Sequence, residues 1–143
     1  MAAGCLFCEE AGGEIIFANQ LLRVVWINDE DYPGFCRVIV HEHVAEMMDL
    51  PALDQQKLMQ VVLSIAHTQR VHLNPDKINL ASLGNVVPHL HWHVIPRWKT
   101  DACFPNSVWS PKQRDGVVPV STEQVEVFRQ ALIEQLQRTA DQA

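Results

Sequence analysis

The chain has 143 residues, 48% of them hydrophobic and 20% charged, with a formal net charge of −6. That length supports one domain with its own core, and the acidic balance excludes the basic footprint with which proteins grip nucleic acid non-specifically. No apolar run is long enough to span a bilayer, and the opening "MAAGCLFCEE" has neither the basic nor the apolar region of a secretory signal. A cytoplasmic protein with no membrane or nucleic-acid partner is expected. In that compartment the four cysteines read as thiols or metal ligands, not as disulfides.

In chain order, "EIIFAN" (14–19) and "LLRVVWIN" (21–28) carry the β-branched and apolar residues of two successive strands. "NDEDYPG" (28–34) is a polar turn with Pro33 and Gly34, and "FCRVIV" (35–40) returns as a third strand. After "HEHVAEMMD" the pattern turns helical from Pro51 to Leu73, with a stripe of Leu58, Val61, Val62, Ile65 and Ala66; Pro75 ends it. "INLASL" (78–83) and "HLHWHVIPRW" (89–98) are a fourth and a fifth strand, joined by the short "GNVVP". From Lys99 to Val120 no periodicity is visible, and loops of such length in a compact domain tend to be functional or disordered. Phe104 and Trp109 in this loop can stack on a base, cover a site or pack on the sheet edge or a partner. A last helix starts near Ser121, where Ser121 and Gln124 form a capping-box pattern, and buries Val125, Phe128, Leu132 and Leu136. Successive strands with two separated helices imply an α+β domain over residues 1–143, built on a largely antiparallel sheet of about five strands.

The fifth strand poses the chemical question. His89, His91 and His93 alternate with Leu90, Trp92 and Val94, so a strand over 89–97 puts three imidazoles on one face and three apolar side chains on the other. Two-residue steps separate them by about 6.5–7 Å, too far for all three to reach one atom. A solvated face accounts for one histidine easily and for three in alternation poorly. Two further readings stay open on spacing alone. A pair of histidines at i, i+2 can ligate a catalytic zinc, or one neutral imidazole can act as a nucleophile supported by its neighbours.

"HLHWHVI" matches the pattern His-φ-His-φ-His-φ-φ, with φ apolar. Together with "CLFC", "VIVHEHV", the long helix and "LGNVVPHLHWHVIPR" in that order, the chain resembles the histidine-triad (HIT) family over residues 5 to 98. It looks most like the small bacterial Hint/Fhit-like members. The resemblance implies an antiparallel sheet with two helices, a homodimer, and hydrolysis or transfer of nucleotides at the α-phosphate through a nucleotidyl-histidine. It implies no organic cofactor. The alternative function is a nucleotide-binding module with little turnover.

Carried over by position, His91 matches the family nucleophile and His93 the third histidine, a donor to a phosphate oxygen or the leaving group. Asn85 stands where the family has Gln, and Val86 where it has Ser or Thr, so one hydroxyl donor is missing. Asn28 matches the end of the second strand, where relatives hold ribose hydroxyls with an acid; Asp29 can fill that role, and both can equally form an Asx turn. Zinc-containing relatives imply a structural site from Cys5, Cys8, His43 and His89; His41, two residues from His43 and on the same side if the strand persists, can substitute as a ligand. Arg97 is read from alternation alone: counting by two from His91 puts it on the same face, suited to a polyphosphate tail.

Overall fold

The computed structural model describes residues 2–141; the domain expected over 1–143 takes in residues 1, 142 and 143, which lie outside them. A short helix α1 (Leu6–Glu9) precedes three strands, β1 (Glu14–Ala18), β2 (Leu22–Trp26) and β3 (Cys36–Val40). A 3-10 turn (Met47–Asp49) leads into α2 (Ala52–Leu73), then β4 (Lys77–Ala81), β5 (His91–Arg97) and α3 (Thr122–Asp141). The five strands form one sheet in the order β1-β2-β3-β5-β4 with every neighbour antiparallel. The α+β class and the antiparallel five-strand sheet agree with the sequence reading. Helix α1 was not anticipated; four residues are too few to show a period.

Strand alternation divides the sheet into two unlike faces. Val24, Val38 and Val94 point to α2 and α3 and are fully buried with Leu58, Val62, Ile65, Phe128 and Leu132. Each such side chain contributes about 1.5–3 kcal/mol on burial. Gln69 on α2 is also fully buried, and its amide donates to the carbonyls of Gly34 (2.9 Å) and Val94 (3.1 Å). That bond ties the long helix to the start of β3 and the middle of β5. Gly34 has φ +87°, and an added Cβ would sit 2.5 Å from Leu73 Cδ1, so the turn before β3 requires glycine.

The opposite face carries Arg23 and Val25 on β2, Arg37 and Ile39 on β3, and His91, His93, Ile95 and Arg97 on β5. It is covered by α1, through Phe7, and by the 99–120 loop, through Ala102 and Cys103. Arg23 staples α1 down: Nε donates to Ala11 O at 2.9 Å, and Nη2 to Phe7 O at 2.8 Å and Glu10 O at 3.0 Å.

The expected capping box at α3 forms by half. Gln124 N–H donates to Ser121 Oγ at 3.0 Å, but the Gln124 amide donates to His72 O on α2 instead of returning to Ser121. Among the described residues no helix is long and apolar enough to cross a membrane.

Candidate active site and metal centre

β5 starts at His91, two residues later than the sequence suggests. His89 and Leu90 approach it in an irregular segment, with His89 N–H donating to Val87 O (2.8 Å) and Leu90 N–H to Val44 O (2.7 Å). This break separates the three histidines into two environments. His91 and His93 remain on the site face, paired across the strands with Ile39 and Arg37. Their rings sit edge to face with centroids 4.9 Å apart. Behind them Leu90 and Val94 are buried, while Trp92 is half-buried and donates its indole N–H to Met47 Sδ at 3.4 Å.

His91 is oriented by its own backbone. Its Nδ1 lies 2.6 Å from the carbonyl of His89. A carbonyl only accepts, so Nδ1 carries the proton and Nε2 keeps its lone pair. Phe7 packs against the ring edge to face at 4.8 Å. Burial lowers the His91 pKa, the His89 carbonyl opposes this, and the Arg37 charge lowers it further. His93 is pushed down to about 3 by burial, then by His91 and Arg37. Both shifts favour the neutral imidazole. Phe35 and Trp109 flank His93, with centroids at 5.9 Å and 4.8 Å.

His89 turns the other way, toward α1. Its Nε2 lies 2.7 Å from Val40 O, so that nitrogen donates and Nδ1 is the free ligand atom. Nδ1 is 3.4 Å from Cys5 Sγ, 3.5 Å from Cys8 Sγ and 3.3 Å from His43 Nδ1, and Cys8 Sγ is 3.3 Å from His43 Nδ1. The four ligand atoms all lie within 4.8 Å of one another, a group able to hold a metal ion. Cys5 and His89 are buried and His43 is exposed. His41 is not part of it; its Nε2 bonds Asn19 O at 2.9 Å.

The remaining expected residues divide. Asn28 is exposed at the end of the β2 segment. Asp29 Oδ1 accepts the Asp31 N–H at 2.9 Å, the Asx-turn alternative, and its other oxygen has no hydrogen-bond partner among the described residues. Asn85 and Val86 are exposed in the loop before His89, Val86 at 93%. Arg97 requires a correction. It is 2% exposed and its guanidinium is committed: Nε to Asp101 Oδ2 (2.8 Å), Nη2 to Asp101 Oδ1 (3.0 Å) and Asn106 O (2.8 Å), Nη1 to Asn79 Oδ1 (2.8 Å). Alternation placed Arg97 on the right face, but Asp101 four residues on neutralises it. Arg97 anchors the loop and does not reach for a phosphate tail.

The loop so anchored is ordered. Asp101 accepts the N–H groups of Trp98, Cys103 and Phe104, and Arg114 Nη1 donates to Asp101 O and Phe104 O. The path delivers Trp109, half exposed, against His93. Cys103, one of the four cysteines, lies in this loop and is buried. A cleft of about 460 Å³ runs between Trp109, Ile95, Asn79 and Leu83 beside this face. A larger one of about 480 Å³, lined by Phe17, Asp54, Lys57 and Leu136, lies away from the histidines and holds none of them.

Two site-face residues escaped the sequence reading, Phe7 and Arg37. Alternation in "FCRVIV" puts Arg37 on the face opposite Cys36 and Val38, a signal that was available, but only the β3–β5 pairing sets it beside His93.

Comparison with known proteins accords with this geometry. A family model described as the HIT domain matches residues 9–100. An AP-4-A phosphorylase from Mycobacterium tuberculosis is 35% identical over 99 residues, covering 64% of this chain and 50% of that protein; the chain thus spans about half the length of that curated relative. The crystal structure of a histidine triad protein from Bradyrhizobium japonicum superposes with a TM-score of 0.72 at 29% identity, covering 87% of this chain and 91% of the other. A Zn-bound histidine triad family protein from Mycobacterium smegmatis shares the fold, with a TM-score of 0.61 at 23% identity over 94% of this chain and 96% of the other. With three alternating histidines at and just before β5 and a family model that matches residues 9–100, the chain belongs to the histidine-triad (HIT) family.

Proposed function

We propose that the protein is a nucleotide hydrolase or nucleotidyl transferase acting at the α-phosphate of a nucleoside polyphosphate or phosphoramidate. One observation carries the reading: the 2.6 Å bond from His91 Nδ1 to its neighbour's carbonyl, which leaves Nε2 as a fixed, unprotonated nucleophile. In the first step the Nε2 lone pair forms an N–P bond, and the bond from phosphorus to the leaving group breaks with its electron pair on the departing atom. Water then attacks phosphorus, the N–P electron pair returns to Nε2, and one water proton is released. His93 donates its N–H to the phosphoryl oxygens, whose negative charge favours its protonated form. Asn85 and the free oxygen of Asp29 are proposed contacts to phosphate and ribose. The AP-4-A phosphorylase relative supports a dinucleoside polyphosphate as substrate.

We assign the Cys5, Cys8, His43 and His89 group to a structural zinc. Ligand atoms around tetrahedral zinc stand about 3.3–3.8 Å apart, from bonds of about 2.0 and 2.3 Å, and the contacts of 3.3 to 3.5 Å fit that spacing. Four protein ligands leave no open position, so the ion would crosslink α1 to the triad segment and do no chemistry. A twofold homodimer is part of the same reading, and exposed Leu80 and Leu83 beside edge strand β4 offer it apolar surface. A monomer mass at micromolar protein would count against it.

The deciding experiment assays release of nucleoside monophosphate from dinucleoside polyphosphates and nucleoside phosphoramidates. His91→Asn is expected to fold, to bind nucleoside monophosphate, and to lose turnover by several orders of magnitude. Near-normal turnover in that variant would sink the covalent route.

A further inference from the structure

We infer that Arg37 binds the phosphoryl oxygens of the nucleotide, as the cation of the site next to His91 and His93. The inference rests on the nucleotide-processing reading above and names a residue that reading does not contain. Arg37 is the direct cross-strand partner of His93, and Ile39, two residues on, is the partner of His91. Its side chain therefore shares the face of both imidazoles. The Arg37 guanidinium and the His91 ring pack on the same Phe7 ring, at 5.2 Å and 4.8 Å from its centroid.

The guanidinium is buried in part and under-used. A guanidinium has five N–H donors; among the described residues Arg37 makes one hydrogen bond, from Nη1 to Gly12 O at 2.7 Å. Its Nε is buried with no partner. No carboxylate neutralises it: the ion pairs among the described residues are Arg97–Asp101, Lys112–Asp31 and Arg129–Glu14. A half-buried cation without a counter-anion is costly to maintain. An anionic group seated at His91 Nε2 removes that cost and receives charge-assisted bonds in return. Val86 contributes nothing comparable, since it has no side-chain donor and is 93% exposed. A cation fixed beside the attacked phosphorus stabilises the charge that develops on its oxygens as the N–P bond forms.

The test pairs binding with turnover in wild type, Arg37→Gln and Arg37→Lys, with thermal melts on each. Titration with AMP and GMP should show affinity falling about 10- to 100-fold in Arg37→Gln, with adenosine and guanosine affinity unchanged. Turnover of diadenosine tetraphosphate should fall by about 100-fold in kcat/KM, chiefly in kcat. Lys should restore part of both. If Arg37→Gln binds and turns over like wild type while His91→Asn is inactive, the inference is wrong and the nucleotide reading stands. If wild type binds neither nucleotide and releases no monophosphate from any substrate offered, that reading fails and the inference with it. Equal loss of nucleotide and nucleoside affinity with a lowered melting temperature would make Arg37 structural, which also overturns it. Should Arg37→Gln not fold, Arg37→Lys decides: weaker nucleotide binding at wild-type melting temperature supports the inference, and unchanged values refute it.

Discussion

Arg97 and Arg37 lie on one face of one sheet and do opposite things. Arg97 has a bidentate carboxylate, a side-chain amide oxygen and a backbone carbonyl around it. Burial works against its charge, but Asp101 outweighs burial and raises its pKa. Arg37 has one carbonyl, and burial lowers its pKa with nothing to offset it. A buried cation whose donors are all answered holds architecture; one left partly unanswered beside nucleophilic groups marks a place for a ligand anion. The difference lies in the partners, not in the residue type.

The sharpest way to break this contrast is to remove the Arg97 partner. Asp101→Ala leaves a buried guanidinium unpaired and three N–H groups uncapped, so stability should fall by about 3–5 kcal/mol, read by chemical denaturation, with hydrogen exchange rising across 99–120. Acid should act in the same direction. Arg97 holds the Asp101 carboxyl below its ordinary value against the opposing effect of burial. Its contribution is therefore complete above the unfolded-state value near about 4 and is lost as pH falls through the lower folded value. Asp101→Asn should flatten that acid limb. Unchanged stability in either variant would remove Arg97 from the architectural role, and with it the contrast to Arg37.

A middle-sized effect is expected at the cysteine–histidine group, the other buried polar cluster bordering the triad. Purified protein should contain about one tightly bound zinc per chain, and Cys8→Ser should lose it with about 2 kcal/mol of stability. Loosened α1 would then carry Phe7 away from both Arg37 and His91, so kcat should drop although no group in contact with phosphate has changed. Metal-free wild type prepared without chelators would refute the assignment. The smallest effect belongs to Trp109→Ala. Trp109 is 51% exposed, so stability should move by no more than about 0.5 kcal/mol. Its edge contact with His93 should show as a change of about tenfold in KM for dinucleotides, with little change for substrates with small leaving groups. Equal effects on both classes would reduce Trp109 to a cover.

Much of the architecture was legible because it depends on period. Leu58, Val61, Val62 and Ile65 repeat at helical spacing, and "RVVW" and "RVIV" read as strands by composition; both sets became the expected elements. The cysteine–histidine group able to hold a metal ion was legible through the family resemblance, although its four residues span positions 5 to 89. Boundaries were less so: nothing in "HLHWHV" shows that β5 begins at His91, because the irregular start depends on Leu90 bonding to Val44 O in the segment after β3.

By itself the sequence determined the strand and helix periods and the alternation that gives His91 and His93 a common face. These are properties of neighbours along the chain, where backbone geometry dictates direction. Tertiary structure alone decided which arginine is neutralised, which histidine turns toward the thiols, and that Trp109 ends against His93. Each depends on groups brought together from distant positions: Arg37 with Gly12, His89 with Cys5, and the loop with the Arg97–Asp101 pair. Alternation states on which side a residue lies; the partners waiting there are set by how strands pair and loops return, and partners decide what a charge does.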